Sequence, residues 1–388
     1  MAQIFDAAVI GGGVMGCTTA LHLARGGMRV ALFERGGLCR EASGRNAGTL
    51  TLMYTRAALI PYTRRGRELW RDAPQWLGRS AGFHHREGLE VVFTKNDAAD
   101  LEDHMLKRAA AGAPIEIIGG NRAREIEPAL SEKVVAAAYC TEDGYAHSYE
   151  SGVIFHRALR EAGVDVRDNT PVSNVEAGGN GYRIEAGARS AETRQVILAG
   201  GVWISKMARW FGYELPITCR INQGTISERL PRLFKANIRV FNEISLKQSA
   251  NGTVLMGGGK GEHWIEDPDR GLEQMDPDKI RLKMLNAVKS ACNAVPALRM
   301  GRVARTWTGF EGFAPDNMPV IGPLPDRPNA FAIGCQRSGF TTGPFMGKLL
   351  ADALLGRTPE MPILTPMFDP ARVLTMAPVS EREDTQSA

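Results

Sequence analysis

"AVIGGGVMG", residues 8–16, decides the fold. The run from Ile4 to Ile10 is nearly all apolar, as a parallel strand covered on both faces should be. Gly11, Gly13 and Gly16 then form G-x-G-x-x-G, with Val14 and Met15 between the last two. Cys17 to Arg25 follows with small and apolar residues at helical spacing and a Gly26-Gly27 stop, and Met28 to Phe33 reads as a second strand ending on Glu34. This is the order of a Rossmann dinucleotide site. Gly11 permits the tight turn, Gly13 lets the backbone approach a pyrophosphate, and Gly16 lets helix and strand lie close, with the helix N-terminus facing the phosphates. Glu34 is placed to accept hydrogen bonds from an adenosine ribose.

Composition narrows what such a site serves. The 388 residues, 44% hydrophobic and 23% charged, allow a large core and suggest two domains or one large α/β unit. The net charge of +4, from 47 basic and 43 acidic residues, is spread along the chain without the Lys/Arg blocks of a nucleic-acid footprint, so no nucleic-acid partner is expected. The first residues lack the basic n-region of a secretory signal, and no apolar stretch approaches the roughly 20 residues of a transmembrane segment. Six cysteines stand far apart with no C-x-x-C pair and no histidine cluster, so no metal site is expected and a reducing, cytoplasmic setting fits.

Further along, residues 62–140 are mixed and charge-rich, and Gln195 to Gly201 is a second buried run of Rossmann type. Residues 206–300 alternate short strands and turns before a helical segment from Lys279 to Cys292. The expected fold class is therefore α/β with an α+β part. In it a Rossmann-type nucleotide domain (1–61, 141–205 and 301–375) is interleaved with a mixed-sheet substrate domain (62–140 and 206–300), followed by a disordered tail (376–388).

The choice of dinucleotide rests on the other end of the chain. "CQRSGFTTGPFMGKLLADALLG", residues 335–356, reads as a glycine loop and a helix, with Pro344 in the first turn and Gly356 as the stop. Amides from Gly339, Phe340, Thr341 and Thr342 would face outward at the positive end of that helix. A reduced flavin carries negative charge around N1 and its C2 carbonyl, which such amides stabilise as an oxyanion hole does its anion. A nicotinamide has no comparable anion, so FAD is the expected cofactor.

The chain resembles the FAD-dependent D-amino-acid oxidase superfamily. The resemblance spans nearly all of it and rests on "VIGGGVMG" with Glu34 and Arg35, "EASGRNAGTL" (41–50), "VILAGGVW" (196–203), "TWTGFEGFAPDNMPVIG" (306–322) and the loop and helix from Gly334 to Gly347. "QGTISERLP" (223–231) and "SLKQSANGTVLMGGG" (245–259) look most like the β subunits of opine oxidases, hydroxyproline dehydrogenases and sarcosine oxidases. The resemblance implies that Ser43, Arg45, Asn46, Ala47 and Gly48 lie along the flavin, that Val172 meets adenine through its backbone, and that Gly200 and Trp203 sit near the ribityl-pyrophosphate region. It also implies hydride transfer from the carbon beside an amine to flavin N5, giving an imine that water hydrolyses. The donor would be an amino acid, an opine or a secondary amine. Two alternatives stay open: a β subunit in a hetero-oligomeric dehydrogenase that uses a partner-bound acceptor, and an FAD-binding assembly factor without turnover.

Such chemistry asks little of side chains beyond holding the C–H bond in place. Many amino-acid-oxidising relatives carry an arginine where this chain has Glu311, and an acid repels a carboxylate instead of clamping it. Either Glu311 receives a cationic group of the substrate, or the substrate carboxylate is bound elsewhere, by Arg305 or Arg56, or Glu311 is paired with Arg302 or Arg305. Lys260 and His263 follow a glycine run where sarcosine oxidase has a lysine and a histidine near the ring. Lys260 could assist oxygen activation or be simply solvated. Cys335 reads as a small buried hydrophobe. The resemblance implies non-covalent FAD, because there is no cysteine between Phe310 and Pro319, where monomeric sarcosine oxidase ties its flavin, and no matching histidine-rich motif near Ser43; acid precipitation should release all the yellow colour.

Overall fold

The chain is described by a computed structural model covering residues 4–378 apart from Asn180, Ala188, Glu262 and Gln336. Of the tail expected to be disordered, residues 379–388 lie outside the described residues. In chain order the strands are β1 (Ile4–Ile10), β2 (Val30–Phe33), β3 (His84–Val92), β4 (Ile115–Gly119), β5 (Ala136–Tyr145), β6 (Asp165–Arg167), β7 (Asn174–Gly178), β8 (Gly181–Ala186) and β9 (Arg189–Leu198). They continue as β10 (Thr218–Arg229), β11 (Asn237–Val240), β12 (Ile244–Gln248), β13 (Thr253–Gly258), β14 (Trp264–Ile265), β15 (Val303–Phe313), β16 (Val320–Pro323) and β17 (Ala330–Gly334). The longer helices are α1 (Val14–Arg25), α2 (Ile60–Arg71), α3 (Lys95–Ala110), α4 (Ser151–Glu161), α5 (Pro277–Ala294) and α6 (Gly339–Leu354).

One sheet runs β16-β17-β9-β1-β2-β6, with β8 and β7 added beside β9. Its centre is parallel, β1 pairing with both β2 and β9. Period-two alternation sends Ala7 and Val9 into the core that holds α1 and α6, and Ala8 and Ile10 into the core on the opposite face, which Phe5 joins out of that alternation. This is why β1 reads as an apolar run broken only by Asp6.

The second sheet runs β14-β10-β13-β12-β11-β3-β5-β4, with β15 paired to β10. Its two faces differ in character. Leu89, Val91, Ile238, Val240, Val254 and Met256 pack in a core with Ala287 and Ala291 of α5. The alternate residues Glu90, Arg239, Leu255 and Gly257 line a cavity. The structure places β15 in this sheet, and Tyr62 and Trp70 of α2 in the core of the first. Both segments therefore lie on the other side of the boundaries drawn at 61/62 and 300/301 from the sequence.

Among the described residues no helix is long and apolar enough to cross a membrane, and no group of side chains could hold a metal ion. All six cysteines are free.

Candidate functional site

The fingerprint turn has the geometry its spacing implies. Gly11 adopts φ +115°, and a Cβ there would lie 2.4 Å from the Ala199 carbonyl oxygen. A Cβ on Gly16 would lie 2.0 Å from the Gly11 carbonyl oxygen, so α1 meets β1 at a distance only glycine allows. The Glu34 carboxylate accepts hydrogen bonds from the amides of Gly12 (2.7 Å) and Gly36 (2.8 Å), which fixes it at the end of β2. The Ser43 hydroxyl accepts from the Val14 amide at 3.0 Å and so pins the 43–48 loop to the start of α1. Asn46 organises that loop: its amide nitrogen donates to the Ser43 carbonyl at 2.7 Å and its oxygen accepts from the Gly48 amide at 2.7 Å. Arg45 ties the loop to β15 by donating to the Thr308 carbonyl, while the Trp307 indole donates to the Arg45 carbonyl.

These pieces wall one continuous cavity of about 760 Å³. Gly11, Gly13, Val14, Met15, Glu34, Arg35, Ser43, Arg45, Asn46, Ala47, Val172, Gly200, Trp203, Gly339, Phe340 and Thr341 all line it. Gly16 and Gly48 lie just behind this wall, where they set the path of the backbone. The Arg35 guanidinium stacks 3.7 Å from the centre of the Trp203 ring, and the buried Trp203 Nε1 has no hydrogen-bond partner, a donor left over for a ligand. A dinucleotide-sized groove, a helix N-terminus, a fixed acid and an orphaned indole N–H fit FAD.

Helix α6 begins at Gly339 after Ser338 in the left-handed region (φ 61°). The amides of Thr341 and Thr342 are taken up by the Ser338 carbonyl at 2.9 and 3.2 Å, and Thr342 is not part of the cavity wall. The expected cluster of four outward amides is thereby reduced, with Gly339 and Phe340 left to open the helix. Pro344 falls in the second turn instead of the first. A proline there cannot donate to the carbonyl four residues back, Phe340. The buried Trp70 of α2 serves it: Trp70 Nε1 donates to the Phe340 oxygen at 2.7 Å, and the two rings stack with centres 4.5 Å apart.

The candidate catalytic residues separate. Glu311 lines the cavity, but its partner is neither Arg302 nor Arg305. It pairs with Arg220, its direct neighbour across β10 and β15, at 3.2 Å, and accepts from Asn222 at 3.2 Å. Arg305 is exposed, near the Trp307 ring and off the cavity wall, and Arg56 is not on that wall either. Lys260 stands at the cavity, 63% exposed, in an ion pair with Glu243 at 2.7 Å. His263 is buried outside the cavity, its Nε2 3.3 Å from the Gln274 carbonyl. Cys335 is a buried wall residue whose Sγ donates to the Gly201 carbonyl at 3.2 Å.

Sequence reading missed the inner end of the cavity, walled by Tyr54, Glu90, Arg108, Arg220, Arg239 and Arg337. Glu90 and Arg239 had a signal. Each interrupts an apolar strand, and alternation turns such residues away from the packed face. Arg337 stands inside the glycine loop before α6. Arg220 faces Glu311 only through strand register, which sequence does not show, and Arg108 lies on a helix remote in sequence.

Lys247 is a further buried cation. It pairs with Leu255 in register, and its Nζ lies 3.3 Å from where a Cβ on Gly48 would stand and 4.3 Å from the centre of the Tyr145 ring. Burial pushes its pKa down from 10.5 to about 7. Below pH 7 both folded and unfolded chains carry the proton and the full burial penalty applies. Between pH 7 and 10.5 the unfolded chain binds more protons, so stability rises with pH. At pH 6, Lys247→Met is expected to unfold in urea with about 2–4 kcal/mol more stability than the parent, a gap that closes by pH 10. A gap independent of pH would contradict this.

The chain matches the family model described as "FAD dependent oxidoreductase" (DAO) over residues 6–353, and it belongs to that family. It is 24% identical over 362 residues to a glycine oxidase of Geobacillus kaustophilus, covering 91% of this chain and 93% of the relative. It is 25% identical over 359 residues to a subunit of the opine oxidase of Rhizobium meliloti, covering 87% and 89%. The crystal structure of the Geobacillus kaustophilus glycine oxidase superposes with a TM-score of 0.83 at 21% identity, over 96% of this chain and 99% of that one. The protein is therefore an FAD-dependent oxidoreductase, as the sequence resemblance implied.

Proposed function

We propose that the chain oxidises the CH–NH bond of an amino acid or secondary amine that presents a carboxylate to Arg337. One observation carries this reading: the dinucleotide groove continues into an inner chamber walled by Tyr54 and arginines. Arg337 stands two residues before α6, its guanidinium 4.1 Å from the centre of the Tyr54 ring, and donates a hydrogen bond to the Tyr54 hydroxyl. An arginine so held offers a fork to a carboxylate while the glycine loop passes beside it. The glycine oxidase and opine oxidase relatives support an amino-acid-type donor.

Gly11 to Met15, Glu34, the 43–48 loop and Trp203 would hold FAD non-covalently, and FAD when bound supplies the two-electron acceptor. The chain's part is placement. Arg337 and Tyr54 anchor the carboxylate, the aromatic and glycine walls limit water, and the donor's C–H bond is fixed in one orientation. A donor bound as the neutral amine loses its C–H electron pair as hydride and its N–H proton to water. Water then adds to the imine to give a carbonyl product and a freed amine.

Glu311 is held by Arg220 and Asn222, so we read it as fixing that arginine and not as a receptor for a cationic substrate. Glu311→Gln is expected to leave the ratio of kcat/KM for cationic over neutral donors within about 3-fold, since no substrate charge is lost. A collapse of that ratio would restore the cation-binding role. The reading as a whole is tested by comparing amino acids with their decarboxylated amines. A preference of at least about 100-fold for the acids is expected from one desolvated arginine contact, reduced in Arg337→Met; equal turnover of both would contradict it.

A second reading, as one component of a larger oxidoreductase, is favoured by the likeness to the opine oxidase subunit and by the exposed Tyr149 and Val153 at the start of α4. The six free cysteines support a reducing, cytoplasmic compartment.

A further inference from the structure

The fold brings together two cysteines that stand 22 positions apart in the chain. Cys17 lies in the first turn of α1 and Cys39 between β2 and the 43–48 loop, and both converge on Gly12, the residue between the first two fingerprint glycines. The Gly12 carbonyl accepts from the Cys39 amide at 2.8 Å and from the Cys17 thiol at 3.2 Å, while the Gly12 amide donates to Glu34 at 2.7 Å. The two thiols also hydrogen-bond to each other. Sulfurs in such contact can join without a change of fold.

Their surroundings differ. Cys17 is fully buried behind the cavity wall, and Cys39 is part of that wall. Burial, the contact with Cys39 and the nearby Glu34 carboxylate hold the Cys17 thiol well above its ordinary pKa, so it stays protonated. A reagent that enters the groove meets Cys39 first, with Cys17 behind it to react with whatever forms there. FAD held against Gly11 to Met15 would close that approach.

Neither cysteine has room to yield. Cys39 adopts φ +54°, a left-handed conformation that costs a residue with a side chain, and its carbonyl oxygen lies only 2.1 Å from where a Cβ on Gly44 would stand. Cys17 is anchored by the close approach of α1 to β1 at Gly16. Drawing the sulfurs together therefore acts on Gly12 between them, which loses the Cys17 hydrogen bond and pulls on Glu34 and the pyrophosphate turn.

We propose that Cys17 and Cys39 form a reversible redox site beneath the dinucleotide groove: in the FAD-free chain, hydrogen peroxide converts them to a disulfide that weakens FAD binding until an external thiol reduces it. The Cys39 sulfur attacks one peroxide oxygen, the O–O bond breaks, and a sulfenic acid and water form. The Cys17 sulfur then attacks the Cys39 sulfur, the S–O bond breaks, and hydroxide leaves with the Cys17 proton as water. Two thiols lose two protons and two electrons, and the peroxide becomes two waters. Because FAD favours the dithiol, the dithiol favours FAD by the same factor.

The test treats the full chain, FAD-free and FAD-loaded, with hydrogen peroxide, alkylates the remaining thiols and maps the peptides by mass. A Cys17–Cys39 linked peptide is expected from the FAD-free chain, with little from the FAD-loaded chain over the same time. The linked chain should bind FAD at least about 10-fold more weakly than the reduced chain, and dithiothreitol should restore it. Cys17→Ser should give no linked peptide and leave a sulfenic acid on Cys39 that dimedone traps. In Cys39→Ser, peroxide should no longer weaken FAD. Absence of the Cys17–Cys39 link in the FAD-free chain, a link that forms equally fast with FAD bound, or a linked chain that binds FAD as tightly as the reduced one would overturn the proposal.

Discussion

Replacing Gly16 with alanine is expected to give a chain that purifies without flavin. The added methyl would stand 2.0 Å from the Gly11 carbonyl oxygen, which belongs to backbone and cannot swing aside as a side chain could. Either α1 moves off β1 or the turn opens, and both displace the Val14 amide and the Ser43 contact that frame the start of the helix. The strain of overpacking is of order 1–3 kcal/mol, and the lost alignment should weaken FAD at least about 100-fold. Flavin content after gel filtration and a titration of apoprotein with FAD measure this. A variant that retains a full complement of FAD would show that the close approach is not needed.

The second large effect is expected at Trp70, far from the glycine turn in sequence. Its indole N–H satisfies the carbonyl that Pro344 cannot, and its ring stacks on Phe340 at the start of α6. Trp70→Leu removes a fully buried ring and leaves that carbonyl without its donor, a loss of about 3–5 kcal/mol. Because Phe340 walls the cavity, bound FAD should also become easier to remove. Trp70→Phe keeps most of the stacking and loses the donor, so its cost should fall to about 1–3 kcal/mol. Urea unfolding of both variants separates the two contributions. Equal destabilisation by the two would mean that the hydrogen bond, not the ring, carries the effect, and no destabilisation in either would remove Trp70 from this role.

Trp70 also marks where sequence stops being informative. The nucleotide half was legible because its constraints are local: an apolar strand, glycines at fixed spacing, a helix and an acid all lie within residues 4–34. The glycine loop before α6 was legible from its own residues, and the 43–48 loop was singled out through family resemblance. Register was not. Glu311 invites pairing with Arg302 or Arg305 because they are near in sequence, whereas the antiparallel match of β15 to β10 sets it opposite Arg220. The start of α6 was misplaced for a related reason, since Pro344 is tolerated in the second turn only because a tryptophan from another helix replaces the missing donor. His263 and Arg305 drew notice by residue type and position along the chain, and the fold turns both away from the cavity.

The central claim is that this cavity binds FAD and passes it electrons from a carbon beside an amine nitrogen. The most direct measurement is the visible spectrum of the purified chain, loaded with FAD and mixed without oxygen with a panel of amino acids and secondary amines. A yellow protein whose flavin absorbance bleaches with at least one carboxylate-bearing amine, with formation of an equal amount of carbonyl product, is the expected result. A chain that takes up no FAD, or whose bound flavin stays oxidised with every such donor, would contradict it.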